Sequence, residues 1–160
     1  MEKNYSKEQH EISWELEKKF YEEYKDKLIW NNENWDHKTT YDSDGKGLGD
    51  FQIKGTDWKI ELQKFNFDSD WVYVFGRRLY EVDNLAGKYG AIKDIKKTIQ
   101  VAYNGKQTAW IELKDFDWSN KFDDFAGKRF DWEICYGVNF NKMKRSNFNM
   151  YIFLKQNSKD

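Results

Sequence analysis

Between Gly49 and Gln63 the chain alternates apolar and polar residues in two short runs separated by a turn, and no other feature restricts the fold as much. GDFQI and WKIELQ read as strands joined by KGTD, where Gly55 and Asp57 tolerate the backbone angles that a hairpin needs. Successive side chains on a strand point to opposite faces. Phe51, Ile53, Trp58, Ile60 and Leu62 therefore share an apolar face, and Asp50, Gln52, Lys59, Glu61 and Gln63 share the other. Such a hairpin must cover its apolar face, and it aims two carboxylates the same way. The functional question is whether that polar face is a metal site or the wet side of a sheet.

Upstream, Ile12, Leu16, Phe20, Tyr24 and Leu28 recur every four residues, with Trp14, Tyr21 and Ile29 widening the stripe. This spacing predicts an amphipathic helix over 7–29, and Ser6 with Gln9 has the spacing of a capping box. Residues 35–41 alternate as a further strand, and 64–76 read as a strand pair or one long bent strand. Ile92, Ile95 and Ile99 suggest a short helix over 89–97. Asn104-Gly105 signals a type I′ hairpin between strands over 98–103 and 106–113, and WEICYGV and MYIFLK read as closing strands. At 160 residues, 1–160 is expected to form one domain. Its expected class is α/β, an N-terminal helix and then a mixed sheet with a flanking helix. The alternative is α+β, with a helix packed on a curved antiparallel sheet.

Aromatic residues make up 19% of the chain, too many for a disordered segment, so an aromatic core is expected. The formal net charge of −1 supplies no global field to recruit nucleic acid, which disfavours a pure nucleic-acid-binding protein but not an enzyme with a local basic groove. Residues 77–106 are locally basic, and Arg77, Arg78, Lys96 and Lys97 are candidates for gripping a phosphate backbone, with Lys142, Lys144 and Arg145 beside them. Cys135 is the only cysteine, so no internal disulfide forms, and its surroundings suit an inert buried thiol. His10 and His37 are too few and scattered for a zinc site. The loop 42–49 fails as the start of a calcium loop because Lys46 and Ile53 occupy ligand positions, and GKGLG lacks the spacing of a phosphate-binding loop. No run is long enough to span a membrane, and a cytoplasmic protein is expected.

Hydrolysis of a phosphodiester needs neutralisation of charge on the phosphate and delivery of hydroxide, and a divalent ion held by two carboxylates does both. Mg²⁺ requires few protein ligands because it keeps several waters. Asp50 and Glu61 could bridge Mg²⁺ or Mn²⁺, with the Leu62 carbonyl as a main-chain ligand. Gln63 would orient the attacking water, and Lys59, on the same face, would help to stabilise charge. Asp50 followed by Glu61-Leu62-Gln63, after a helix, resembles the core of the PD-(D/E)XK nuclease superfamily, with Gly49 and Gln63 in the places of the usual proline and lysine. GKGLGDFQI is similar to the corresponding strand of archaeal-type Holliday junction resolvases. Over residues 7–64 the resemblance implies a restriction-endonuclease-like fold and a metal-dependent endonuclease acting on DNA. It also implies a further acid from the first helix, Glu15, or Glu11 one turn earlier.

Two other readings use different residues. A non-catalytic protein, such as a phage-encoded inhibitor or immunity-type partner, would use the Phe116-Asp117-Trp118 and Phe130-Asp131-Trp132 surfaces to meet a protein, and a homodimer is compatible with either reading. A carbohydrate-binding β-protein rests on the tryptophan content alone.

Overall fold

In a computed structural model that describes residues 7–38, 49–75, 95–115, 125–129 and 134–158, the chain runs from helix α1 (Lys7–Tyr24) to helix α2 (Phe148–Gln156). The strands between them are β1 (Leu28–Trp30), β2 (Phe51–Ile53), β3 (Lys59–Lys64), β4 (Trp71–Phe75), β5 (Thr98–Tyr103), β6 (Thr108–Glu112), β7 (Phe125–Arg129) and β8 (Ile134–Asn139). They form a five-stranded sheet in the order β1-β2-β3-β5-β6 and a three-stranded sheet in the order β4-β8-β7. Among the described strands only β3 and β5 run parallel, so the architecture is mixed α/β. A parallel neighbour requires a long crossover, and the stretch from Phe65 to Lys97 supplies it, carrying β4 into the second sheet.

Register sorts the larger sheet into two faces. Leu28, Trp30, Phe51, Ile53, Ile60, Ile99, Val101, Tyr103 and Trp110 pack against Phe20 of α1 and against Phe148 and Ile152 of α2. On the other face Ala102, Ala109 and Ile111 meet Val72 and Val138 of the smaller sheet, with Phe65, Leu113, Phe140 and Met143 closing that core. Burial of each large apolar side chain contributes about 1.5–3 kcal/mol. The first core is largely aromatic, with Phe20 ring centroids 5.2 Å from both Phe51 and Tyr103.

Several sequence expectations change. The first helix ends at Tyr24 rather than at 29, because Leu28–Trp30 pairs with β2, burying Leu28 and Trp30 and exposing Ile29. A short apolar run fits either period, and tertiary pairing chose the strand. Trp35–Lys38 forms no strand, and His37 takes a φ of +61° there. The described part of 64–76, residues 64–75, is neither a local pair nor one strand, since Phe67 at φ +65° turns the chain between the sheets. Of the helix over 89–97, the described part is a single 3-10 turn, Ile95–Lys97. The Asn104-Gly105 hairpin forms, but Tyr103 pairs with Thr108, leaving a four-residue loop. Only Gly105 has positive φ, so the turn is not type I′; Asn104 Oδ1 instead accepts the amides of Lys106 at 2.9 Å and Gln107 at 2.7 Å. MYIFLK belongs to α2 rather than to a strand, because Asn147 caps a helix by accepting the Met150 amide and Phe148, Tyr151, Ile152 and Lys155 then share the inner face. Ser6, residues 42–48 of the glycine loop and the two Phe-Asp-Trp motifs lie outside the described residues. Among those residues no helix is long and apolar enough to cross a membrane.

Candidate functional site

Asp50 stands at the mouth of β2, where the ladder with β3 is irregular. Ile60 is the register partner of Phe51, yet its carbonyl also accepts the Asp50 amide at 3.0 Å, so two residues of one strand face one of the other. That is the pattern of a β-bulge, a device that re-aims a side chain. Gly49, at φ +74°, turns the backbone away immediately before it. Leu62, the next β3 residue facing that edge, then has no β2 partner, and the Asp50 carboxylate replaces it by accepting the Leu62 amide at 2.8 Å. Asn31, just after β1, clamps the same backbone: its amide donates to the Asp50 carbonyl at 3.1 Å and its Nδ2 to the Gly49 carbonyl at 2.9 Å. Asp50 is thus held through its main chain and its side chain.

Glu61 leans toward this point. A Cβ placed on Gly49 would lie 3.5 Å from Glu61 Oε1 and 3.1 Å from the Ile60 carbonyl, so the bare glycine leaves the space beside the Glu61 carboxylate clear. Glu61 is 2% exposed and Asp50 8%, so these carboxylates do not lie on the wet side of a sheet. Buried ionised groups persist only when paired, hydrogen-bonded or bound to metal. The donor set is two carboxylate side chains and main-chain oxygen, which suits a hard oxygen-seeking cation such as Mg²⁺ or Mn²⁺.

The remaining candidates divide. Lys59 and Gln63 share the Glu61 face, pairing in register with Thr98 and Ala102. Gln63 is half-buried, and among the described residues its Nε2 reaches only the Lys64 carbonyl, at 3.5 Å. Glu15 lies on the exposed side of α1, and Glu11 is engaged by His37 Nδ1 at 3.0 Å. The buried acid of α1 is Glu17, whose Oε1 accepts Trp30 Nε1 and Asn32 Nδ2, each at 2.9 Å. Among the described residues no three His, Cys, Asp or Glu side chains are grouped to hold a metal. Lys97 is bound to Asp57 at 2.9 Å, which holds the Asp57 carboxyl below its usual value, while Lys96 is exposed. Arg77 and Arg78 lie outside the described residues.

Sequence reasoning missed two buried polar side chains beside this site, Thr98 and Gln100, which are 0% and 3% exposed. Their strand reads as an ordinary hairpin arm, and only the parallel pairing of β5 with β3 puts Gln100 beside Glu61. Glu17 was hidden by its neighbours, since nothing local separates it from the solvated glutamates of α1. A cleft of about 290 Å³ lies elsewhere, between the end of α1, the 104–107 loop and the start of α2, and none of Asp50, Glu61 or Gln100 lines it. No protein-family model matches the chain, and no curated protein or solved structure matches it either.

Proposed function

We propose that the protein is a divalent-metal-dependent nuclease that hydrolyses DNA phosphodiester bonds, with Asp50, Glu61 and the Leu62 carbonyl holding Mg²⁺ or Mn²⁺. The observation that carries this reading is the burial of two carboxylates on neighbouring strands beside one bulge. A strand residue directs its N–H and C=O to the same edge. Because the Leu62 amide meets Asp50, the Leu62 carbonyl shares the edge that Asp50 occupies. A bound divalent ion would neutralise phosphate charge and generate hydroxide near neutral pH. Lys59, two residues before Glu61 on its face, is the cation available to the substrate phosphate. The restriction-endonuclease-like fold belongs to the same proposal, supported by α1 on the sheet, the antiparallel run β1-β2-β3 and β5 parallel to β3.

The test is Mg²⁺ and Mn²⁺ calorimetry on the wild type and on Asp50→Asn/Glu61→Gln, followed by cleavage assays on branched and supercoiled DNA. Asn is the informative replacement at 50, since it keeps an acceptor for the Leu62 amide. Binding that disappears in the double variant, together with metal-dependent cleavage, is the expected result. A folded wild type that binds neither ion ends the proposal. It would turn attention to the protein-binding reading, for which Met150, Phe153 and Leu154 form an exposed apolar stripe on α2.

A further inference from the structure

The pairing of β3 with β5 brings a side chain to the carboxylate site that the metal reading did not require. Along β3 the same-face partners are Thr98 beside Lys59, Gln100 beside Glu61 and Ala102 beside Gln63. Ala102 already belongs to the apolar core between the sheets, so on β5 the polar part of this face ends at Gln100. Gln100 is 3% exposed in a strand where every other residue is also buried. A valine would fill this space without the desolvation of an amide.

The orientation of that amide follows from its neighbours. Gln100 Nε2 donates to the Glu61 carbonyl at 3.3 Å and to the Val101 carbonyl at 3.5 Å. A flipped amide would set an oxygen against two carbonyl oxygens, so the NH₂ group belongs there and Oε1 is turned away from both. Among the described residues nothing donates to Oε1. An acceptor carried by a buried side chain therefore stands on the Glu61 rung, with its amide nitrogen anchored to the residue that carries the second carboxylate.

We infer that Gln100 Oε1 is the acceptor that orients water on a divalent cation held by Asp50 and Glu61, the role expected of Gln63. The inference rests on the metal reading above and makes Gln100 a positioning residue of that site. Gln63 lies one rung farther, beside Ala102 of the apolar core, and its amide bonds the carbonyl of its own neighbour.

The experiment is Mn²⁺ calorimetry with thermal melts on the wild type, Gln100→Met, Gln100→Glu and Asp50→Asn/Glu61→Gln. Met keeps the length and loses the acceptor, and loss of such an outer partner is expected to weaken Mn²⁺ binding about 10–100-fold. Glu keeps the acceptor, adds charge and loses the donors, so it should bind at least as tightly as wild type, with a larger rise in melting temperature on adding Mn²⁺. A purely structural role for the Nε2 bonds predicts that Glu weakens binding as much as Met does, and that result overturns the inference. So does a Gln100→Met affinity within threefold of wild type when the double variant has lost binding, a result that leaves the metal site standing. Absence of Mn²⁺ binding by the wild type overturns both. If Gln100→Met does not fold, Gln100→Glu decides alone, because the two roles predict opposite changes for it.

Discussion

Glu17 is buried where it receives two donors. Trp30 Nε1 and Asn32 Nδ2 both end on its Oε1, and all three residues are buried. Removing an acceptor from buried donors costs more than the net worth of the bond, because the donors stay desolvated. Glu17→Ala should lower stability by about 3 kcal/mol, and Glu17→Gln, which keeps an acceptor, by clearly less, as read by urea denaturation. Glu15→Ala, on the exposed side of the same helix, should change stability by less than about 0.5 kcal/mol. Neighbouring glutamates on one helix thus have unlike roles that only burial separates.

α2 illustrates the same point for an element. As a strand, 150–155 would place Ile152 and Leu154 on one face; as a helix it buries Ile152 completely and leaves Leu154 59% exposed. Ile152→Ala should cost about 3 kcal/mol by leaving a cavity, and Leu154→Ala should cost little. Loss of the Asn147 cap in Asn147→Ala should cost about 1 kcal/mol. Equal costs at Ile152 and Leu154 in denaturation experiments would contradict the helix. The helix is also tied to the sheet by polar contacts: Tyr151 donates its hydroxyl proton to Glu112, Lys155 lies 2.9 Å from the same carboxylate, and Gln156 donates to the Lys54 carbonyl at 3.2 Å.

Across the whole molecule these buried contacts set the pH range of stability. Burial opposes ionisation of Glu112, yet Tyr151 and Lys155 prevail and hold its carboxyl below the usual range. A depressed folded pKa stabilises the protein above the unfolded value of about 4.5, and that stability is lost as pH falls through the folded value. Burial and neighbouring glutamates raise the phenols of Tyr103 and Tyr151, and burial raises that of Tyr24. The folded state keeps those protons after the unfolded chain has lost them, so stability should fall as pH rises above about 10. Denaturation midpoints across pH should show both limbs. Glu112→Gln should flatten the acid limb and Tyr151→Phe the alkaline one; unchanged slopes would assign the limbs to other groups.

The local patterns in the chain were enough to specify α1 through its first turns, the β2–β3 alternation and the β5–β6 hairpin, because each depends on neighbours within a few residues. They also singled out Asp50 and Glu61 as facing one way. Whether those carboxylates would be wet or buried depended on distant residues. Parallel pairing with β5 covers one side of Glu61, and Asn31 and the bulge fix Asp50. Leu28–Trp30, MYIFLK and the Asn104 turn depart from the local pattern because a short apolar run or a capping side chain satisfies two local solutions. Periodicity reports what a segment can bury, and long-range pairing decides what it buries against. That is why Gln100 acquires its place beside Glu61 only in the folded sheet.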